Sequence, residues 1–213
     1  MSIFLKEIFP TMLLSGQAND LSICEKAVAL ALEFKSTAKD ATLVSDKWNS
    51  QIASSDQADF DKHGVTSYNS GCLLEKSEWK EVVDYVQHFA STMVGSVSGG
   101  QKQLKLINMW LTVYPADAFV PAHVHSNSLL SGVLYVKAEK DCGNIVFQDP
   151  AYIAKTMFIN GSCVFPTPPT NFAHTPETGN MVIFPSWLPH ATQPNKSGEN
   201  RIMISFNMDM VAP

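Results

Sequence analysis

Hydrophobic and polar positions follow two different periods, and the change falls near residue 100. Upstream, apolar residues recur at three- and four-residue steps. Ser22-Ile-Cys-Glu25 has capping-box spacing and opens an apolar run through Val28, Ala31 and Leu32, which predicts a helix over about 21–36. After Ser77, the residues Trp79, Val82, Val83, Val86, Phe89, Ala90 and Met93 form one stripe, which predicts a second helix ending at Gly95. The intervening 37–75 stretch is rich in Ser, Asp and Asn and reads as mostly loop, with a short strand within Val65 to Leu74. From Gln101 onward the period is two. Short β-rich runs at 104–113, 129–136, 144–148, 162–165, 180–184 and 201–209 are separated by turn residues.

Many short strands with no helical window between them predict an antiparallel jelly roll rather than alternating βαβ units. The expected fold is therefore mostly β with N-terminal helices, the β part an antiparallel sandwich or barrel of the jelly-roll kind. The Trp79-to-Met93 stripe would cover one face of the sheet. Residues 1–213 are thus expected to form a single domain, with 1–100 as helical cover and 101–213 as the β core. The Pro-rich 166–176 segment is expected to lie outside any sheet.

Composition narrows the function. The chain is 45 % apolar and 16 % charged, enough for a core that stays folded without a disulfide or a structural metal. A metal, if one is bound, would serve chemistry. Fifteen Lys and Arg against twenty Asp and Glu give a net charge of −5 with no long basic block, which speaks against nucleic-acid binding. The four cysteines form no C-x-x-C pair and read as reduced thiols. Lys6 and Glu7 interrupt any signal-peptide core, and no apolar run is long enough to span a membrane. The expected address is the cytoplasm.

Candidate chemistry rests on histidine. His123 and His125 are two apart, so on extended chain both side chains reach one face, and His190 can supply a third ligand from another strand. Three ligands with open positions suit a mononuclear non-haem iron site. The plain alternative for His123 and His125 is a hydrogen-bonded pair at the rim of a sheet. His174 in its Pro-rich segment, His63 beside charged neighbours and His88 on the second helix read as solvent-facing residues. On the last strand Arg201, Ser205 and Asn207 share a face, with Ile202, Ile204 and Phe206 on the other.

The flanking segments are more specific. Ser131-Gly-Val-Leu-Tyr-Val136, Asp149-Pro150, Phe184-Pro-Ser-Trp-Leu-Pro-His190 and Arg201-Ile-Met-Ile-Ser-Phe-Asn207, taken together with His123 and His125, resemble the iron(II)- and 2-oxoglutarate-dependent oxygenases, in particular a family from marine bacteria and phages related to the prolyl hydroxylases. The resemblance is strong over 105–209 and implies a double-stranded β-helix (jelly-roll, cupin-like) core. It implies that His123 and His190 are ligands to Fe(II), and that Arg201, eleven residues past His190, grips the distal carboxylate of 2-oxoglutarate through a bidentate fork. Tyr114, nine residues before His123, would stand on the same sheet with its hydroxyl at the co-substrate, and Ser205 and Asn207 would tune that pocket. In most of these enzymes a carboxylate occupies the position of His125. Here either His125 is the third ligand or it stands behind one.

The expected activity is hydroxylation of an unknown substrate, a small molecule or a protein side chain, with O₂ consumed and succinate and CO₂ released. Two other readings remain at this point: a three-histidine cupin dioxygenase that needs no 2-oxoglutarate, and a jelly-roll binding module without catalysis. A homodimer is left open. No nucleic-acid or membrane partner is expected.

Overall fold

The computed structural model describes residues 10–39, 41–44, 52–99, 103–151 and 170–211. The run expected at 162–165 and Cys163 lie outside them. In chain order the elements are β1 (Leu14–Gln17), α1 (Ser22–Thr37), β2 (Ala41–Leu43), β3 (Ala53–Ser54), α2 (Gln57–His63), β4 (Val65–Thr66), α3 (Lys80–Ser98), β5 (Leu104–Tyr114), β6 (Leu130–Lys137), β7 (Ile145–Gln148), β8 (Asn171–His174), β9 (Asn180–Pro185), β10 (His190–Thr192) and β11 (Arg201–Met210). An eight-stranded sheet runs β1-β9-β6-β11-β5-β4-β2-β3 and a three-stranded sheet runs β10-β7-β8. Every pairing is antiparallel.

The two faces of the large sheet make two cores. One face carries Met109, Leu111 and Val113 of β5, Leu134 and Val136 of β6, and Ile202, Ile204 and Phe206 of β11, packed with Ile23, Ala27 and Ala31 of α1 and Val82, Val86 and Ala90 of α3. The other turns Tyr114, Val133, Tyr135, Val182, Phe184 and Met203 toward Ile145 and Phe147 of the small sheet. Alternation along each strand assigns successive side chains to opposite cores. A bulge preserves the apolar phase in β5: Asn207 pairs with Asn108 but Met208 with Leu106, so Ile107 is the extra residue and Leu104 and Leu106 still face the helices. Gly132 of β6 is required by close approach, because a Cβ there would meet the Phe206 ring at 2.3 Å.

Several local expectations are corrected. Ser22 does not cap α1; Asp20 accepts hydrogen bonds from the Ser22 amide and hydroxyl instead. The second helix passes through Gly95, which has open space around it, and ends where Gly99 adopts φ +72. Between 37 and 75 the chain is more ordered than a loop, with β2, β3 and α2, and only Val65–Thr66 of the expected strand forms. Residues 171–174, expected outside any sheet, form β8 and pair with β7, because that stretch contains no proline and its amides are free to bond. His123 and His125 occupy extended chain with a single bridge, His123 to His190, rather than a regular strand. Cys24 and Cys142 are buried free thiols and Cys72 is partly buried.

Candidate metal centre and co-substrate pocket

Two chain segments converge between the two sheets. The main chains of His123 and His190 bond each other in both directions at 3.0 Å, and the His125 amide donates to the Ser186 carbonyl at 2.9 Å. The three rings lie with centroids 4.3 to 5.2 Å apart, and one nitrogen from each falls within 4.8 Å of the others. Nδ1 of His123 sits 2.9 Å from the Pro121 carbonyl, and Nδ1 of His190 sits 2.8 Å from that of Leu188. A carbonyl only accepts, so each Nδ1 carries the proton and each Nε2 lone pair is free.

All three imidazoles are held neutral. Burial first, then the neighbouring His123 and to a lesser extent His125, put the pKa of His190 at about 3, against a small opposing effect of the Leu188 carbonyl. Burial, then the charge of His123, puts His125 at about 4. Burial also lowers His123. Metal binding requires the neutral imidazole, and the fold supplies it in advance. Trp110 stacks on His125 with centroids 5.5 Å apart, and Tyr68 meets Trp110 edge-on.

Arg201 begins β11 and is 1 % exposed. Its Nη1 donates to the carbonyls of Cys142 (2.6 Å), Gly143 (3.1 Å) and Gln193 (3.3 Å), and its guanidinium carbon lies 4.3 Å from the Tyr114 ring centroid. Nε and Nη2 are buried without a partner, and so is the Tyr135 hydroxyl. Leaving such groups unpaired costs on the order of 1 to 3 kcal/mol each, and more where the group is charged. An anion that accepts from them removes the cost. On sequence alone Ser131 and Tyr135, each two residues from Val133 on one strand face, suit a pocket role and packing equally.

A cavity of about 480 Å³ opens beside the histidines. Its wall includes all three of them together with Tyr114, Trp110, Thr112, Ser131, Ser205 and Asn207; Arg201 is not part of the lining, but the Tyr114 ring that packs against it is. Among the described residues no Asp, Glu, Lys or Arg lines the cavity. Ser205 pairs across β11 and β5 with Trp110. Asn207 lies six residues along β11 from Arg201, about 20 Å of strand, and its Oδ1 accepts from the Ser131 hydroxyl at 2.8 Å. His174 is on β8 and bonds Asn180 at 2.7 Å. His88 is exposed and His63 partly so.

Residues 108–207 match a family model described as "Putative 2OG-Fe(II) oxygenase". Over this stretch the chain resembles the 2OG-Fe(II) oxygenases. Within the matched stretch the chain carries the three converging histidines, Arg201 and the pocket residues from Trp110 to Asn207. Its fold is shared with the epimerase SnoN from nogalamycin biosynthesis (TM-score 0.64, 10 % identity, 93 % of this chain and 78 % of that one). It is also shared with a Pseudomonas putida prolyl-4-hydroxylase (TM-score 0.57, 12 % identity, 92 % of each chain). The viral collagen prolyl hydroxylase vCPH of Paramecium Bursaria Chlorella virus-1, determined as a 2OG complex, aligns over 92 % of this chain and 94 % of its own at 12 % identity, with a TM-score of 0.54. The double-stranded β-helix that the resemblance implies is therefore the fold observed. A comparison with curated proteins gives no match. No helix among the described residues is long and apolar enough to cross a membrane.

Proposed function

We propose that this protein is a 2-oxoglutarate-dependent hydroxylase in which His123, His125 and His190 hold iron(II) and Arg201 anchors the co-substrate. Two features of the chain support the assignment. Three neutral imidazoles converge with lone pairs free at His123 and His190, a donor set that suits a ferrous ion with open positions. The unpaired Nε and Nη2 edge of Arg201 and the unpaired Tyr135 hydroxyl are chemically suited to a carboxylate. The second feature carries the case for 2-oxoglutarate, because a cupin dioxygenase without a co-substrate has no use for a buried guanidinium edge held open at a cost.

Iron(II) and 2-oxoglutarate would together turn O₂ into the oxidant, with succinate and CO₂ as by-products. The protein's own work is positioning. Pro121 and Leu188 carbonyls fix two ring tautomers, the Cys142, Gly143 and Gln193 carbonyls hold one end of the Arg201 fork, and Tyr114 links the anchor to the cavity wall. With three uncharged ligands, the site favours an anionic co-substrate more than a site containing a carboxylate would. Substrate would enter the cavity past Tyr68 and Trp110. A wall without formal charge among the described residues selects an uncharged reacting group, since an ion would lose hydration there without a partner. The helices α1 and α3 would act as the fixed cover of one domain spanning the chain.

The test follows O₂ uptake and succinate formation by the iron-loaded protein with and without 2-oxoglutarate. The proposal predicts slow succinate release that needs 2-oxoglutarate and disappears in His190→Ala. Oxygen uptake that is indifferent to 2-oxoglutarate would favour the three-histidine cupin reading, and no turnover with no metal retained would favour a binding module.

A further inference from the structure

A continuous run of rings leads from solvent to the histidines. Trp110 of β5 stacks on His125 with centroids 5.5 Å apart and planes 24° from parallel, and Tyr68 meets the Trp110 ring edge-on at 5.1 Å. Trp110 is 8 % exposed and Tyr68 is 53 % exposed, so the run has one end in the site and the other in water. Backbone pairing fixes the contact. Ser67 is buried and holds Leu111 twice, its amide donating to the Leu111 carbonyl at 3.0 Å and its hydroxyl accepting from the Leu111 amide at 3.1 Å. Tyr68 follows Ser67 and Trp110 precedes Leu111, so the pairing that closes this segment onto β5 also brings the two rings together.

Indole and phenol are the aromatic side chains that give up an electron readily. Phe147 and Phe184, which pack by His190, do not. Tyr114 packs on the Arg201 guanidinium, whose charge opposes loss of an electron, and the Tyr135 hydroxyl is buried with no partner to take its proton. Tyr68 has neither handicap, because water at its exposed ring can take the phenol proton as the electron leaves.

We propose that Tyr68 and Trp110 form an electron-entry path to the histidine centre, through which a soluble one-electron donor of the enediol or thiol class completes turnovers that find no substrate. The inference rests on the 2-oxoglutarate reading above. With no C–H bond to receive it, the second oxygen atom of O₂ leaves as water: O₂, 2-oxoglutarate, two electrons and two protons give succinate, CO₂ and water. Denied those electrons, the same atom is inserted into the wall of the site, a side reaction that a closed pocket invites on itself. In each of two rounds Trp110 passes one electron to the centre by way of the His125 ring, Tyr68 replaces it and releases its phenol proton to water, and the donor returns a hydrogen atom to the Tyr68 oxygen. The two protons released balance the two that formation of water takes up.

The experiment mixes the iron-loaded protein and 2-oxoglutarate with O₂ in the absence of substrate, freezes samples for electron paramagnetic resonance, and follows with mass spectrometry of the digested chain. The wild type should show a tyrosyl radical that ascorbate removes. Tyr68→Phe should lose that signal and gain the mass of one oxygen atom on the Trp110 peptide, with one indole C–H bond converted to C–O–H as succinate and CO₂ are released. Trp110→Phe keeps an aromatic ring against His125 but no readily oxidised one, and there the Tyr68 radical should be lost although Tyr68 is intact, a result that a purely structural role for Trp110 does not give. Succinate is measured in every sample. Succinate formed by the wild type with no radical, or a radical that persists in Tyr68→Phe or in Trp110→Phe, would overturn the path and leave the hydroxylase reading intact. No succinate from the wild type would remove that reading, and this inference with it.

Discussion

Tyr135→Phe deletes a single oxygen, and the structure gives its effect two opposite signs. In the ligand-free protein that hydroxyl is fully buried with no partner, so it has surrendered its water bonds for nothing. Burial accordingly pushes its pKa far up, only partly offset by Arg201, and the group stays a neutral donor at any working pH. An unsatisfied buried hydroxyl costs about 1 to 3 kcal/mol. Removing it should therefore stabilise the ligand-free protein by about 1 kcal/mol after allowance for the small void left behind, or roughly 2 to 4 °C in Tm for a chain of this size. The co-substrate complex should respond in the other direction. A hydrogen bond to a carboxylate contributes about 1.5 to 3 kcal/mol, so 2-oxoglutarate affinity should fall roughly 10- to 150-fold. The assay pairs thermal unfolding of ligand-free protein with anaerobic calorimetry of 2-oxoglutarate into the iron-loaded form. A variant that is less stable without ligand and binds 2-oxoglutarate as wild type does would show that Tyr135 is a packing residue, and the reasoning from orphaned groups would fail.

Three other outcomes follow from the same geometry. His190→Ala and His123→Ala should lose iron on dialysis, whereas His125→Asp should keep it and His125→Ala should bind it weakly; metal content by emission spectroscopy decides, and full retention in His123→Ala and His190→Ala would refute the centre. Arg201→Lys should fold and keep iron but bind 2-oxoglutarate at least about 30-fold more weakly, because a point charge replaces a fork; Arg201→Ala should in addition lower stability by about 3 kcal/mol or more, as it strands the carbonyls of Cys142, Gly143 and Gln193 in a buried void, and equal calorimetric affinities across the series would refute the anchor. The metal-free protein should lose stability on acidification. His125 and His190 titrate near 6.5 when unfolded but at about 4 and about 3 when folded, so the unfolded chain binds more protons in that window. Denaturant midpoints should thus be flat with respect to these groups above pH 7 and fall from about pH 6.5 toward 4, and a fall no smaller in a His125→Gln, His190→Gln variant would refute their role.

What the sequence reveals depends on how much of an element's environment is written into its own period. Strands β5, β6, β9 and β11 each have one face on helices and one on the site, so a two-residue alternation identifies them. β1, β8 and β10 have four, four and three residues, too short for any period to be distinctive. Gly95 looked like a helix end because glycine weakens helices, yet a Cβ there would meet nothing within 4 Å beyond its own helix, and the helix continues to the residue that needs a positive φ. In the site, the spacing of His123, His125 and His190 and the offset of Arg201 carried the candidates. Asn207 shares a face with Arg201, which suggested a common ligand, but alternation says nothing about distance along a strand; in the fold Asn207 sits against Ser131 in the cavity wall. Tyr135 was ambiguous for a related reason. Its inward phase suits packing and ligand binding equally, and an unpaired hydroxyl exists only once the surrounding atoms are placed.

The central claim is that one centre built by His123, His125 and His190 binds iron(II) and 2-oxoglutarate together. Anaerobic titration of the purified protein with iron(II), then with 2-oxoglutarate, tests it through the visible metal-to-ligand charge-transfer band that forms only when the co-substrate chelates the iron. The account predicts a band that saturates at one iron and one 2-oxoglutarate per chain, is absent with iron alone, and needs a much higher 2-oxoglutarate concentration in Arg201→Lys. Iron bound at one per chain with no band at any 2-oxoglutarate concentration would contradict it.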